Sequence, residues 1–120
     1  MASDVLVCAS YEESSPMVIL EGMSFKVPIV STNVFGIPEQ IRNGREGILV
    51  EPGKPEDIAN SILKVIDNSE LVEELTYNAF YRILMKFSVD KMLQDYDIVF
   101  QQACIMRKNN MYNVLKKNNM

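Results

Sequence analysis

Apolar positions along the chain form short runs and helical stripes that alternate with polar segments. Residues 4–9 are a short apolar run between polar neighbours, which is typical of a strand buried on both faces of a parallel sheet. Over residues 16–26 the apolar positions recur at helical spacing, and proline is favoured at the first position of a helix. Pro28 ends that helix, and residues 28–31 are predicted to form a second strand.

The same order continues through the middle of the chain. A loop over residues 33–36 leads to a short helix over residues 37–42, and a third strand is predicted over residues 47–50. Further helices are predicted over residues 55–66, 69–85 and 88–106. This order predicts an α/β fold: a partial Rossmann-like parallel sheet of about three strands, with flanking helices and a helical C-terminal end.

The last predicted helix has Ser88 as its N-cap and carries one apolar stripe. The stripe consists of Val89, Met92, Leu93, Tyr96, Val99, Phe100 and Ala103. We expect it to pack on the sheet or on a partner domain. Residues 107–120 contain five asparagines and four basic residues in a thin apolar background, so a disordered tail is predicted there, after a folded part that spans residues 1–106.

Composition excludes several classes of function. The chain has 120 residues, enough for one compact domain, and a net charge of −4, which disfavours nucleic-acid binding. It has no histidine, so a His-dependent triad or His-ligated zinc site is excluded within it. Cys8 and Cys104 lie among apolar neighbours and are predicted to be buried thiols. A cytoplasmic location is expected, because the sequence shows neither a signal-peptide pattern nor a run of about 20 apolar residues.

Two glutamates, Glu13 and Glu21, lie on either side of the start of the first helix, with seven residues between them. Ten glutamates in 120 residues give about one such pair by chance, so the spacing alone indicates little. The position is more informative, because a helix N-terminus offers amide donors and positive potential to a diphosphate. The candidate donors here are the amides of Ser14, Ser15, Met17 and Val18, with the hydroxyls of the two serines beside them.

The surroundings of this pair resemble the retaining GT-B glycosyltransferases of the group 1 type, which carry an E-x7-E motif. Residues 27–32 are similar to the second strand of that family, residues 36–39 to its G-x-P-E loop, and residues 44–53 to its G-x-x-G-x-L-V-x-P-G turn. Phe87 and Ser88 match the start of the family's last helix. The resemblance extends over about residues 4–103 as an ordered series.

The resemblance implies that residues 1–106 are an incomplete C-terminal, nucleotide-sugar-binding half-domain. It implies that Glu21 accepts hydrogen bonds from the ribose, that Glu13 orients the transferred sugar as the catalytic residue, and that the amides named above hold the donor. The implied reaction is transfer of a hexose from a nucleoside-diphosphate sugar, with UDP favoured, to a saccharide or lipid-linked acceptor with retention. Neither a cofactor nor a metal is expected.

Some positions depart from the family pattern. Pro16 removes one amide donor, Gly22 replaces an alanine, and Lys26 and Phe35 stand where related sequences often have glycine. Lys26 is interpreted as a cation at a helix C-terminus. Arg42 and Arg45 are both interpreted as parts of surface salt bridges.

The acceptor domain and the basic strand of the family are absent from this sequence. The chain is therefore expected to be inactive alone and to need an N-terminal acceptor domain or subunit, with peripheral membrane contact through the acceptor left open. Two other functions also stay open. One is a non-enzymatic nucleotide-sugar-binding or assembly module, and the other is a fragment of a sugar-nucleotide epimerase.

Overall fold

The computed structural model describes residues 3–118, and it describes side chains for residues 3–108. Three parallel strands form one sheet in the order β1-β2-β3. Val7 lies opposite Val30 in the first pair, and Ser31 lies opposite Leu49 in the second. The strands are β1 (Leu6–Cys8), β2 (Ile29–Thr32) and β3 (Ile48–Val50). The predicted partial Rossmann-like parallel sheet is therefore confirmed.

Helices alternate with the strands and then follow them. Among the described residues they are α1 (Met17–Ser24), α2 (Ile37–Gln40), α3 (Pro55–Ile66), α4 (Ser69–Lys86) and α5 (Val89–Asn118). The chain divides into two compact units, Met1–Met85 and Lys86–Met120. None of the described helices is long and apolar enough to cross a membrane.

The core of the first unit lies between the sheet and its helices. Ile19 and Met23 of α1, Ile29 of β2, Ile37 of α2 and Ala79 of α4 belong to one buried cluster. Burying a side chain the size of isoleucine or methionine contributes about 1.5–3 kcal/mol. The cluster therefore holds α1 and α2 on the sheet. The positions of these helices determine where the loops that follow β1 and β2 end.

Helix α1 ends in a Schellman motif with an unusual residue at its turn. Lys26 adopts the left-handed conformation, with φ 55°, and its amide donates to the carbonyl of Met23 at 3.2 Å. The amide of Val27 donates to the carbonyl of Gly22 at 2.9 Å, which completes the motif. Lys26 Nζ lies 4.8 Å from the centre of the Phe80 ring. The lysine therefore serves as the residue that ends the helix, at a position that favours glycine.

The second unit is built on α5. Ser88 Oγ accepts a hydrogen bond from the amide of Lys91 at 3.2 Å, so the predicted N-cap is confirmed. The apolar stripe defined above is exposed, and the rings of Tyr96 and Phe100 stack 6.0 Å apart within it.

Helix α5 is longer than predicted. It continues through Asn118, where the sequence predicted disorder from residue 107 onward, and residues 119–120 lie outside the described part. The physical reason is that extending an existing helix costs far less than starting one, and the segment contains Arg, Lys, Met and Leu, all good helix formers. Cys104 is also exposed on α5, so the prediction of a buried thiol is wrong there, whereas Cys8 is buried as predicted. The apolar neighbours of Cys104 are exposed with it.

Candidate functional site

The loops that leave the three strands meet at one edge of the sheet, because all three strands run in the same direction. A Cβ added to Gly53, after β3, would lie 3.8 Å from the ring of Tyr11, after β1. Crevices at the carboxyl ends of parallel strands are where open α/β sheets bind ligands. This edge is therefore the candidate site.

The loop after β1 is anchored to the end of β2 by hydroxyl groups. Thr32 Oγ1, which is buried, donates to the carbonyl of Ser10 at 2.6 Å. Ser10 Oγ in turn donates to Glu13 Oε1 at 3.1 Å. The carboxylate of Glu13 is thereby connected to the sheet through two hydrogen bonds, and its direction is fixed by the fold.

The same loop is also locked to the loop after β2. The amide of Gly36 donates to the carbonyl of Glu13 at 3.2 Å. A Cβ on residue 36 would lie only 1.4 Å from the carbonyl oxygen of Ser14, so this position admits only glycine. Phe35, just before it, adopts a left-handed conformation with φ 40°.

Gln40 fixes the start of α1. Its buried Nε2 donates to Ser15 Oγ at 3.1 Å and to the carbonyl of Pro16 at 3.2 Å. Arg82 Nε donates to the carbonyl of Gln40 at 2.7 Å. Sequence reasoning missed Gln40. The available signal was its amide side chain, which lies on the predicted helix of residues 37–42 directly beside the apolar Ile41.

Helix α1 begins at Met17 with Pro16 as its N-cap, in agreement with the predicted start beside the proline. The first amides of a helix, here those of Met17 and Val18, have no partner within the helix. Glu21 lies on the exposed face of α1, three and four residues after Val18 and Met17, which are exposed with it. Met17, Val18 and Glu21 therefore share the solvent face of the helix whose first amides are those of Met17 and Val18.

An open cleft of about 350 Å³ lies beside this helix start. Glu12, Glu13, Ser14 and Phe35 line it. Two predicted site residues, Glu13 and Ser14, are thus brought together, while Glu21 is not among the described residues that line the cleft. Sequence reasoning did not predict Glu12 or Phe35 as site residues. For Phe35 there was a signal, since a bulky residue stands where related sequences often have glycine.

Arg42 lies at the opposite edge of the sheet, in the segment that leads into β3. It forms a salt bridge with the buried Glu46, whose Oε2 also accepts the Arg42 amide at 2.8 Å. Burial raises the pKa of Glu46, but hydrogen bonds and charge from Arg42, with the charge of Arg82, outweigh it, and the net pKa lies below the ordinary 4.5. The hydrogen bond to Glu46 raises the pKa of Arg42. The predicted salt-bridge role of Arg42 is confirmed, whereas Arg45 forms no salt bridge among the described residues.

Comparison with known proteins identifies the family of this chain. The chain is 30% identical over 107 residues to N-acetyl-alpha-D-glucosaminyl L-malate synthase of Bacillus anthracis, an alignment that covers 89% of this chain and 28% of that protein. The crystal structure of the C-terminal domain of LpcC, a glycosyl transferase group 1 family protein of Francisella tularensis, is 31% identical with a TM-score of 0.68. That match covers 73% of this chain and 45% of the LpcC domain.

HepE of Anabaena, solved in complex with UDP, has a TM-score of 0.80 and 25% identity, over 84% of this chain and 28% of HepE. The chain therefore spans less than a third of the length of its full-length relatives. Residues 1–82 match the family model described as Glycosyl transferases group 1. The resemblance inferred from the motifs is confirmed, and the chain belongs to the glycosyl transferases group 1 family.

Proposed function

We propose that this chain binds a nucleoside-diphosphate sugar, with UDP as the nucleotide, as the donor-binding part of a cytoplasmic retaining glycosyltransferase. The acceptor is a saccharide or a lipid-linked sugar, and membrane contact is peripheral, through that acceptor. HepE, solved in separate crystals with UDP and with UDP-glucose, supports the choice of nucleotide.

The observation that carries the proposal is the locked helix start. Gln40 and Gly36 hold the segment before α1 against α2, which fixes the position of the first amides of α1 at the carboxyl edge of the sheet. Preformed amides of this kind bind phosphate without a further ordering cost. The diphosphate is assigned to the amides of Ser14, Ser15, Met17 and Val18 and to the two serine hydroxyls.

The two carboxylates then take separate roles. Glu21, exposed one turn into α1, accepts hydrogen bonds from the two ribose hydroxyls. Glu13, held by Ser10 in the cleft, accepts hydrogen bonds from the transferred sugar and orients it. Glu13 before the start of α1 and Glu21 within the helix match a donor in which the diphosphate lies between the hexose and the ribose.

The chain alone is proposed to bind a donor but to transfer nothing. Arg42 is engaged by Glu46 at the opposite edge of the sheet, and Arg82 donates to the carbonyls of Gln40 and Glu39. An N-terminal acceptor domain or subunit must supply the rest of the acceptor site and the basic side chains that assist departure of the diphosphate. The positive end of α1 takes part of that role, and no metal is required.

A titration of the full chain with UDP, followed by two-dimensional NMR, tests the proposal. We expect saturable shifts of the amides at the start of α1, and a loss of about tenfold or more in affinity for Glu21→Ala, because hydrogen bonds to a charged group contribute about 1.5–3 kcal/mol. Glu73→Ala, an exposed glutamate on α4, is the matched control and should bind as the native chain does. Absent binding, or binding that Glu21→Ala leaves unchanged, would favour an assembly module instead.

A further inference from the structure

Phe35 exposes its apolar ring to solvent at the candidate site. Its side chain is 73% exposed, although Val34 and Ile37 on either side are buried. Its backbone has φ 40°, a left-handed conformation that bulky side chains rarely adopt. Strain of this kind persists only where the surrounding structure imposes it, and it is concentrated at functional sites.

The surrounding structure does impose it. The amide of Gly36 donates to the Glu13 carbonyl at 3.2 Å, and the amide of Ile37 donates to the Val34 carbonyl at 3.1 Å. Contact between Gly36 and the Ser14 carbonyl leaves no room for the loop to move closer. The backbone at Phe35 is therefore held beside the Glu13 loop, and both residues line the cleft.

The chemistry of the cleft selects its ligand. The residues that line it are Glu12 and Glu13, which carry carboxylates, Ser14, which carries a hydroxyl, and the aromatic Phe35. Carboxylates only accept hydrogen bonds and repel phosphate, so the part of the ligand that lies beside Glu12 and Glu13 must be uncharged and rich in donors. The aromatic ring requires an apolar face on the same ligand. A pyranose meets both conditions, since its hydroxyls project around the rim and its C–H groups form an apolar face.

We propose that Phe35 is a specificity-determining residue whose ring packs on the C–H face of a pyranose while Glu13 accepts hydrogen bonds from that sugar's hydroxyls. The inference rests on the proposed function and deepens it by naming the residue that recognises the sugar. The pyranose belongs either to the donor or to the acceptor, and the experiment distinguishes these two sources.

The experiment compares ligands that differ only in the sugar. The full chain is titrated by NMR with UDP, with UDP-glucose, and with methyl α-glucoside in the presence of saturating UDP. The variants are Phe35→Gly, which removes the ring and suits the backbone, Phe35→Leu, which keeps an apolar side chain, and Phe35→Tyr, which keeps an aromatic ring. Phe25→Ala is the matched control, because Phe25 is also an exposed phenylalanine but lies at the C-terminal end of α1, away from the helix start.

For a donor sugar, Phe35→Gly and Phe35→Leu should weaken UDP-glucose roughly three- to tenfold, the range expected for a lost aromatic contact, and leave UDP unchanged. For an acceptor sugar, the same two variants should weaken methyl α-glucoside and leave UDP-glucose unchanged. In both cases Phe35→Tyr and Phe25→Ala should bind like the native chain.

Three results would overturn the inference. Equal weakening of UDP and UDP-glucose would assign the ring to the nucleotide. Sugar affinities that are the same in all four variants would leave Phe35 without a role in recognition, while normal UDP binding preserved the proposed function. If UDP itself failed to bind the native chain, the proposed function would fall and this inference with it. Because Phe35→Leu retains the backbone demands of the native residue, the test holds even if Phe35→Gly does not fold.

Discussion

The carbonyl oxygen of Ser14 occupies the space that any side chain on Gly36 would need, 1.4 Å from the position of its Cβ. Residues from two different crossover loops thus meet backbone to backbone, and the Glu13 carbonyl accepts the Gly36 amide at the same junction. The loop that presents Glu13 and the loop that presents Phe35 consequently form one unit. A substitution in either loop should therefore change the conformation of both loops.

Gly36→Ala should therefore destabilise the chain and displace the Glu13 loop. We expect a loss of about 2–3 kcal/mol in the free energy of unfolding, since the obstacle is backbone and cannot rotate away. Urea denaturation measures the loss, and NMR shifts at residues 13–15 report the displacement. A variant as stable as the native chain, with an unchanged spectrum, would contradict this view of the junction.

Gly22→Ala should have the opposite effect. Gly22 is buried inside α1, and an added Cβ would meet the side chains of Ile29 and Leu6 at 3.4–3.5 Å, which is ordinary contact. Alanine in a helix interior is favoured over glycine by about 0.8–1.0 kcal/mol. The free energy of unfolding should rise by that amount, and urea denaturation should show a higher midpoint. A lower midpoint would mean that the helix stands too close to β2 for one methyl group.

The sequence allowed the scaffold to be predicted because its signals are local. Helix α3 has the predicted bounds, Pro55–Ile66, since a proline at its first position and a periodic apolar stripe both lie within it. The strands were found for the same reason. Parallel order followed from the alternation of strands and helices.

The details that give the site its shape depend on contacts between distant residues. The hydrogen bond from Gln40 to Ser15 joins positions 25 residues apart, and no local pattern signals such a pair. The left-handed conformations of Lys26 and Phe35 were equally hidden, because neither side chain favours them. The sequence signals these conformations only in that Lys26 and Phe35 stand where related sequences often have glycine.

Stability should fall on acidification through the Glu46 carboxylate. Its pKa is lower in the folded chain than the ordinary 4.5, so its stabilisation is complete above that value and is lost as the pH falls through the folded pKa. Glu46→Gln should lose about 1–3 kcal/mol at neutral pH and show a shallower loss below pH 4.5. Urea denaturation at pH values from about 3 to about 7 measures both the loss of stability at neutral pH and its dependence on pH.

Glu73→Gln serves as the control for that measurement, because Glu73 is exposed on α4. It is expected to keep the native stability and the native acid profile. If Glu46→Gln behaved in the same way as this control, the salt bridge with Arg42 would have no share in the pH dependence.

Binding of UDP should be independent of divalent metal ions. The proposed diphosphate site consists of the amides at the start of α1 and the hydroxyls beside them, and the helix dipole supplies the positive potential. Affinity measured by NMR in excess EDTA should equal the affinity in magnesium or manganese. Binding that disappears in EDTA and returns with added metal would show that the helix start is insufficient.

The parallel sheet also gives the chain two unlike ends. The turn of residues 43–47 leads into β3 at the edge opposite the cleft, and around Gly44 there is open space, with no atom within 4 Å of an added Cβ. Arg45 in that turn is exposed and offers an attachment point as Arg45→Cys, once Cys104 has been replaced by serine. A chain immobilised on a sensor surface through this turn would present its cleft outward, to ligands and to partner segments alike.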